Sequence, residues 1–450
     1  YAERSLTVDA GGVPVAVNVR AWQDDPAWGE RVGALVERAL PALAGITGIP
    51  YRGPQPLVLT ESVAGSLDGL AARFDVAGAR LEVAYSASDA VVVRELAHAW
   101  FNGELAAERW AVEGFAGLAA EWAAAAIGLE VIPGELSDEL VAARYPLNDW
   151  APPGPQRTIQ DDYAEVAAVE LVRQLARREG EVGLRAAWAA LAERRSAYQP
   201  RHGGATVDGL SGPPDWRGLL DAIEAAGGAP ADDLWREWVG RPDQASALAT
   251  RATARAELDR VATVAGEWEL PASVRAAMAA WRFDEAGGLL SGASAALDRR
   301  AELERRASAA GLTLPAALER SFEGDRGPGA AIAEGDAELG AVAAIEAAAS
   351  ARPIDPGPLE ATGLAGAAPE LDLAAARTAF ALGDLAAAVE HAAAAQETWA
   401  AAPGVGRTRL TVAGLVLAAV GLLALLVGRR RRPGPPRGKR RWPMAHRVAR

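Results

Sequence analysis

Leu410 to Gly428 reads LTVAGLVLAAVGLLALLVG, nineteen residues without a charge, followed at once by Arg429-Arg430-Arg431-Arg432. At ~1.5 Å per residue such a run matches the ~30 Å hydrocarbon core of a bilayer. Core helices of soluble proteins rarely end in four arginines, so the run predicts one transmembrane helix. No other stretch of the sequence is long and apolar enough to span, which excludes a polytopic protein. The flanking arginines place residues 429–450 on the cytoplasmic side and everything before the span outside. An exported body needs a secretory signal. The sequence opens at Tyr1 without Met or a basic segment, so a signal peptide is expected ahead of it.

Charge divides at the same place. The chain carries −13 overall, but beyond Gly406 there are twelve Lys or Arg and no acid. Residues 1–406 therefore hold 34 cations against 59 anions, a body of −25. The tail is short and adjoins a membrane, which suits anionic lipid headgroups and argues against a nucleic-acid partner. With no Cys, a disulfide scaffold is excluded, and 450 residues predict two or three folded units.

Residues 5–20 alternate Val with polar residues around Gly11-Gly12, predicting a hairpin. Val32, Leu35, Val36, Ala39 and Leu40 recur at helical spacing after Pro26, predicting a helix over 27–43. Residues 56–60 and 79–85 are short β-like runs. A helix is predicted from Ser88, and helical patterning continues to about Gly240. After Pro242 the chain is rich in Ala, Leu, Glu and Arg. Paired helices are predicted over 273–288 with 293–311, and 373–383 with 385–401, the latter weakly resembling a tetratricopeptide-type hairpin. Residues 352–369, rich in Pro and Gly, read as a linker.

The chemistry-bearing stretch is Val91 to Trp122, VVVRELAHAWFNGELAAERWAVEGFAGLAAEW. Arg94 and His98 fall one helical turn apart on one face, with Glu95 between them. A second helix from about Trp110 carries Glu113. Trp100, Phe101, Trp110, Phe115 and Trp122 recur at helical spacing, as core packing between these two helices requires. Asp161-Asp162 reads as a helix N-cap with its first-turn charge.

These motifs resemble the gluzincin metallopeptidases, the thermolysin-like and aminopeptidase N-like zinc enzymes. The family writes H-E-L-A-H-Q-W-F-G-N on the first helix and N-E-G-F-A on the second. This chain writes R-E-L-A-H-A-W-F-N-G and then V-E-G-F-A. Asp161 to Leu175 is similar to the family segment Y-x-K-G-x-x-V-L-x-x-L, which makes Tyr163 the counterpart of an oxyanion-stabilising Tyr. Asp221 to Val239 resembles the helices that close the catalytic domain. The resemblance covers about residues 75–245. It implies Zn²⁺ held by two His and a Glu, here reduced to His98 and Glu113, with Glu95 as general base.

Arg94 stands where the family has its first zinc His, and a guanidinium has no lone pair to give a metal. Of the remaining histidines only His202 is a conceivable substitute, since His391 lies in the later helical region and His446 in the tail. Glu165-Val166 replaces the family's Lys-Gly, and no G-x-M-E-N strand is found. The interval from His98 to Glu113 is shorter than in aminopeptidase N relatives, as in compact membrane-linked members of the clan. Charge balance supplies a structural expectation: without zinc, Glu95 and Glu113 need a cation, and Arg94 should form a bidentate pair with Glu113.

The sequence thus predicts an α+β, thermolysin-like domain, then an all-α hairpin region and one transmembrane helix. Residues 1–90 form its N-terminal α/β part and 91–245 its helical lobe. Residues 250–405 form a stalk, 410–428 the span and 429–450 the tail. The functional expectation is a membrane-anchored pseudopeptidase binding a peptide or protein outside the cell, with no bound cofactor. The alternative is an active Zn²⁺ peptidase in which Glu95 assists attack by metal-bound water.

Overall fold

A glycine pair turns the first hairpin. Strands β1 (Ala2–Asp9) and β2 (Pro14–Ala21) pair antiparallel across Gly11 and Gly12, at φ 76° and 84°, where any Cβ would be strained. Helix α1 (Pro26–Thr47), capped by the Asp25 carboxylate on the Trp28 amide at 3.0 Å, then crosses over to β3 (Leu57–Ser62). The crossover makes β2 and β3 parallel. With β4 (Ala72–Asp75) and β5 (Arg80–Ala84) the sheet has order β1-β2-β3-β5-β4, and β4 is an edge. β4 was not predicted, because four residues hold too little alternation to register as a strand. The computed structural model describes residues 1–67, 70–152, 157–202 and 208–430; the basic tail from 431, His446 included, lies outside the described residues.

The chain divides into two compact units, Tyr1–Ala295 with Phe322–Gly329, and Ala296–Ser321 with Ala330–Arg450. In the first, Val15, Val17 and Val19 of β2 and Val32, Leu35, Val36, Leu40 and Leu43 of α1 belong to one buried core. Helices α2 (Asp89–Ala97) and α3 (Arg109–Ala126) follow, α2 beginning where Ser88 caps Val91. A short α4 (Asp138–Ala142) leads to α5 (Ile159–Ala192), which kinks at Gly180. The cap of α5 is Thr158, three residues before the predicted position. Asp161 instead closes a capping box by accepting the Thr158 amide at 3.0 Å. Gly114 of α3 faces α5 so closely that a Cβ there would lie 2.6 Å from the Ala168 carbonyl oxygen.

Phe101 and Phe115 pack at a tilt with centroids 5.9 Å apart, and Trp188 of α5 joins them edge-on. Two of the predicted core aromatics look elsewhere. Trp110 packs edge-on against Trp235, and Trp100 donates its indole N–H to the Ile49 carbonyl at 2.7 Å.

Helices α6 (Trp216–Gly227), α7 (Asp232–Leu234), α8 (Ala245–Ala265) and α9 (Ala272–Ala279) follow, then α10 (Phe283–Ala310). The predicted break at 288–293 is absent, and α10 runs through Gly287 and Gly288. The interruption falls instead at Trp281, at φ 55°, whose indole donates to buried Asp221 at 2.7 Å. Two helix-interior glycines cost only about 1 kcal/mol each.

Next come α11 (Ala317–Glu323), α12 (Pro328–Ala351), α13 (Pro358–Leu364), α14 (Pro369–Ala381) and α15 (Leu385–Arg430). The predicted linker at 352–369 therefore contains a helix. α13 packs backbone to backbone on α15: a Cβ on Gly363 would lie 1.9 Å from the Ala402 oxygen, and one on Gly406 1.8 Å from the Leu359 oxygen. Arg409 donates to the carbonyls of Thr362, Gly363 and Ala365 at 2.8–3.1 Å, capping the C-terminal end of α13. The predicted boundary between stalk and span falls inside α15, which continues through Pro403 without a break. Leu385–Val427 is long and apolar enough to cross a membrane, and its most apolar window, of mean hydropathy 2.7, is not buried at all.

Two outcomes follow from this packing. Gly114→Ala forces α3 and α5 apart and should cost about 1–3 kcal/mol in thermal or denaturant unfolding. Gly103→Ala, where a Cβ meets nothing within 4 Å, should be silent. In the second unit Glu338 is fully buried, with one oxygen accepting the Leu318 amide at 3.2 Å. Burial, reinforced by Glu334, pushes its carboxyl up to about 7. The folded form then holds its proton more tightly than the unfolded chain, so the stability contributed by Glu338 is fully present below the ordinary carboxylate pKa and is lost as pH rises toward and through about 7. Unfolding curves at pH 5.5 and 8 should show this loss, and Glu338→Gln should remove it.

Candidate functional site

Glu113 is where the motif converges. It sits beside Gly114, where the α3 backbone lies directly against α5, and α2 brings two groups to the same oxygen. Arg94 Nη2 lies 3.4 Å from Glu113 Oε2, and His98 Nε2 lies 3.6 Å from it. His98 is the C-cap of α2, and its Nδ1–H donates to the Phe101 carbonyl at 3.0 Å, which aims Nε2 at Glu113. The predicted Arg94–Glu113 contact is present, but it is not bidentate. The other Nη of Arg94 donates to Glu165 of α5, so one guanidinium links two carboxylates. Arg157 closes the network from outside, donating to Glu165 and Asp162.

The three central side chains, Arg94, Glu113 and Glu165, are each about a quarter exposed. Burial opposes the charge on Arg94, but Glu165, Glu113 and Glu95 outweigh it and raise its pKa. For Glu165, burial is overcome by Arg94 and Arg157, and its pKa is lowered. Glu95 goes the other way. Burial raises it and Glu113 adds to the rise, against His98, Arg94 and the Phe74 amide of β4. Glu95 is thus pushed above the ordinary carboxylate range and Glu165 held below it.

Tyr163 does not join this cluster. It is two residues from Glu165 on the same helix, which turns the two side chains to nearly opposite faces. Its ring is buried 5.7 Å from that of Tyr145, and its hydroxyl lies near Arg144 and Glu237 without a regular hydrogen bond. His202 is also elsewhere, exposed, with Nε2 3.2 Å from the Gly266 carbonyl. Asp161 and Asp162 serve the helix start and Arg157, as described. Glu165 was known in advance only as a departure from the Lys-Gly of the resembled family; as the second partner of Arg94 it was missed.

A zinc ion does not fit these residues. His98 Nε2 and Glu113 Oε2 are spaced like two ligands of one metal, whose bonds of ~2.0–2.2 Å set them about 3.3 Å apart. The third donor would have to be Arg94, which is cationic, has no lone pair and already neutralises Glu113. Among the described residues no group of three or more His, Cys, Asp or Glu is arranged to hold a metal ion.

An open cavity of this unit lies away from the motif cluster. A space of about 400 Å³ is bounded by α6, α8, α9 and residues 197–201. Beneath it Arg251, 1% exposed, donates to Asp221 at 2.8 Å, Glu224 at 2.7 Å and Asp232 at 3.1 Å. Comparison of the chain with protein-family models, with curated proteins and with solved structures returned no match.

Replacing Arg94 tests the charge balance. Arg94→Met leaves Glu113 and Glu165 without their inner cation and should cost about 1–3 kcal/mol at pH 7. In the parent chain the lowered pKa of Glu165 supplies stability present above the ordinary carboxylate pKa and lost as pH falls. The gap between parent and variant should therefore shrink as pH drops below about 4.5, measured by unfolding across that range.

Proposed function

We propose that this chain is a membrane-anchored, gluzincin-like pseudopeptidase whose body, outside the cytoplasm, binds a peptide or protein. What supports the likeness is the R-E-L-A-H and V-E-G-F-A pair on consecutive helices, α2 and α3, beside a small mixed sheet with an edge strand. What supports loss of catalysis is one observation: the Arg94 guanidinium occupies the first ligand position and bonds to both Glu113 and Glu165. A site with its cation built in has no place for a metal and no means of activating water through one. Glu95 is then a half-buried carboxyl held between β4 and His98, not a general base. The apolar end of α15 anchors the body, and Arg429 to Arg432 orient it with the tail inward.

Metal content separates the readings. Full-length chain purified in detergent without chelators should carry no stoichiometric zinc and hydrolyse no peptide substrate. Arg94→His, which restores the third ligand, should raise its zinc content. One zinc per parent chain, with peptide hydrolysis lost on Glu95→Gln, would overturn the proposal.

A further inference from the structure

The walls of the 400 Å³ cavity are charged, and their hydrogen bonding is lopsided. The buried carboxylates are saturated. Asp221 accepts from Arg251, Tyr198 and Trp281, and Glu224 from Arg251, Arg255 and the Ala231 amide. Glu269 accepts the backbone amides of Arg201 and His202. The guanidinium groups are not. Arg255 donates only to Glu224, through one nitrogen, and the Arg201 side chain only to the Ala262 carbonyl. Several N–H groups on the cavity wall therefore lack an acceptor among the described residues.

Asp259 is the exception among the acids. It lies one turn after Arg255 on α8, where an exposed helix would pair the two. Arg255 turns instead to Glu224, and the exposed Asp259 side chain at the cavity rim is left without a protein partner among the described residues. Among the described residues the cavity thus presents unpaired guanidinium N–H groups and one unpaired carboxylate, with Arg255 and Asp259 a helical turn apart on α8. Its volume is within the ~300–1,000 Å³ range of small-molecule sites.

We propose that this cavity binds a small zwitterion of the amino-acid or short-peptide class, its carboxylate on Arg255 and Arg201 and its ammonium group on Asp259. Charge-assisted pairs at both ends give specificity that neither a simple anion nor a simple amine can match. The site is separate from the Arg94 cluster and stands whether or not that cluster is a degenerate metal centre.

Titration calorimetry on the full-length chain in detergent tests it, with trialanine, its N-acetyl and C-terminal amide forms, and inorganic phosphate as probes. Trialanine should bind one to one. Each blocked form should bind at least about tenfold more weakly, the loss of one charge-assisted pair. Asp259→Asn, an exposed change that leaves the buried ion cluster intact, should abolish the penalty of acetylation. Arg255→Gln should reduce that of amidation, leaving the part due to Arg201, and Arg94→Met should leave the binding constant unchanged. No binding of trialanine at millimolar concentration, indifference to both blocking groups, or displacement of trialanine by phosphate would each overturn the assignment. Loss of binding in Arg94→Met, with the variant shown by its unfolding curve to be folded at the assay temperature, would do the same, by moving the peptide to the motif cluster.

Discussion

One permanent cation set among carboxylates organises the first unit. Arg94 cannot lose its proton at any physiological pH, so the Glu165 carboxylate is held ionised beside it, and Glu113 lies against the same guanidinium. This requires α2, α3 and α5 to meet within a few ångströms, and Gly114 permits it by removing the side chain that would otherwise strike the Ala168 carbonyl. The aromatic cluster of Phe101, Phe115 and Trp188 fills the remaining space between the same three helices. Charge pairing and close packing here are one arrangement.

A second ion cluster does comparable work further along the chain. Arg251 binds three carboxylates beneath the cavity, and Asp221 also takes the Trp281 indole. That last bond lies at the turn between α9 and α10, so a buried polar demand overrides the local glycine signal that suggested a later break. In the second unit the corresponding device is apolar: glycines let α13 lie directly on α15, and Arg409 caps the shorter helix.

Much of the architecture was legible in the chain because its signals are local. Gly11-Gly12, Ser88 and Pro26 mark a turn and two helix starts, and the valines of β2 alternate. What escaped depended on partners distant in sequence. β4 is too short to show a period, and the helix at 358–364 was concealed by flanking Pro and Gly. Charge balance around Arg94 led correctly to Glu113 but not to Glu165, 71 residues away. The signal was available, since an acid replaces the Lys expected in the resembled segment just where a cation replaces a His. Tyr163 illustrates the converse, for a motif position alone did not reveal which face of α5 it takes.

The central claim is that Arg94 acts as an internal counter-ion for the α3 and α5 carboxylates. A double-mutant cycle of Arg94→Ala and Glu165→Ala, read as unfolding free energy of the full-length chain at pH 7, addresses it most directly. A favourable coupling of about 1 kcal/mol or more is expected between the two residues. Additivity within about 0.3 kcal/mol would show that the two side chains do not depend on each other, and would contradict it.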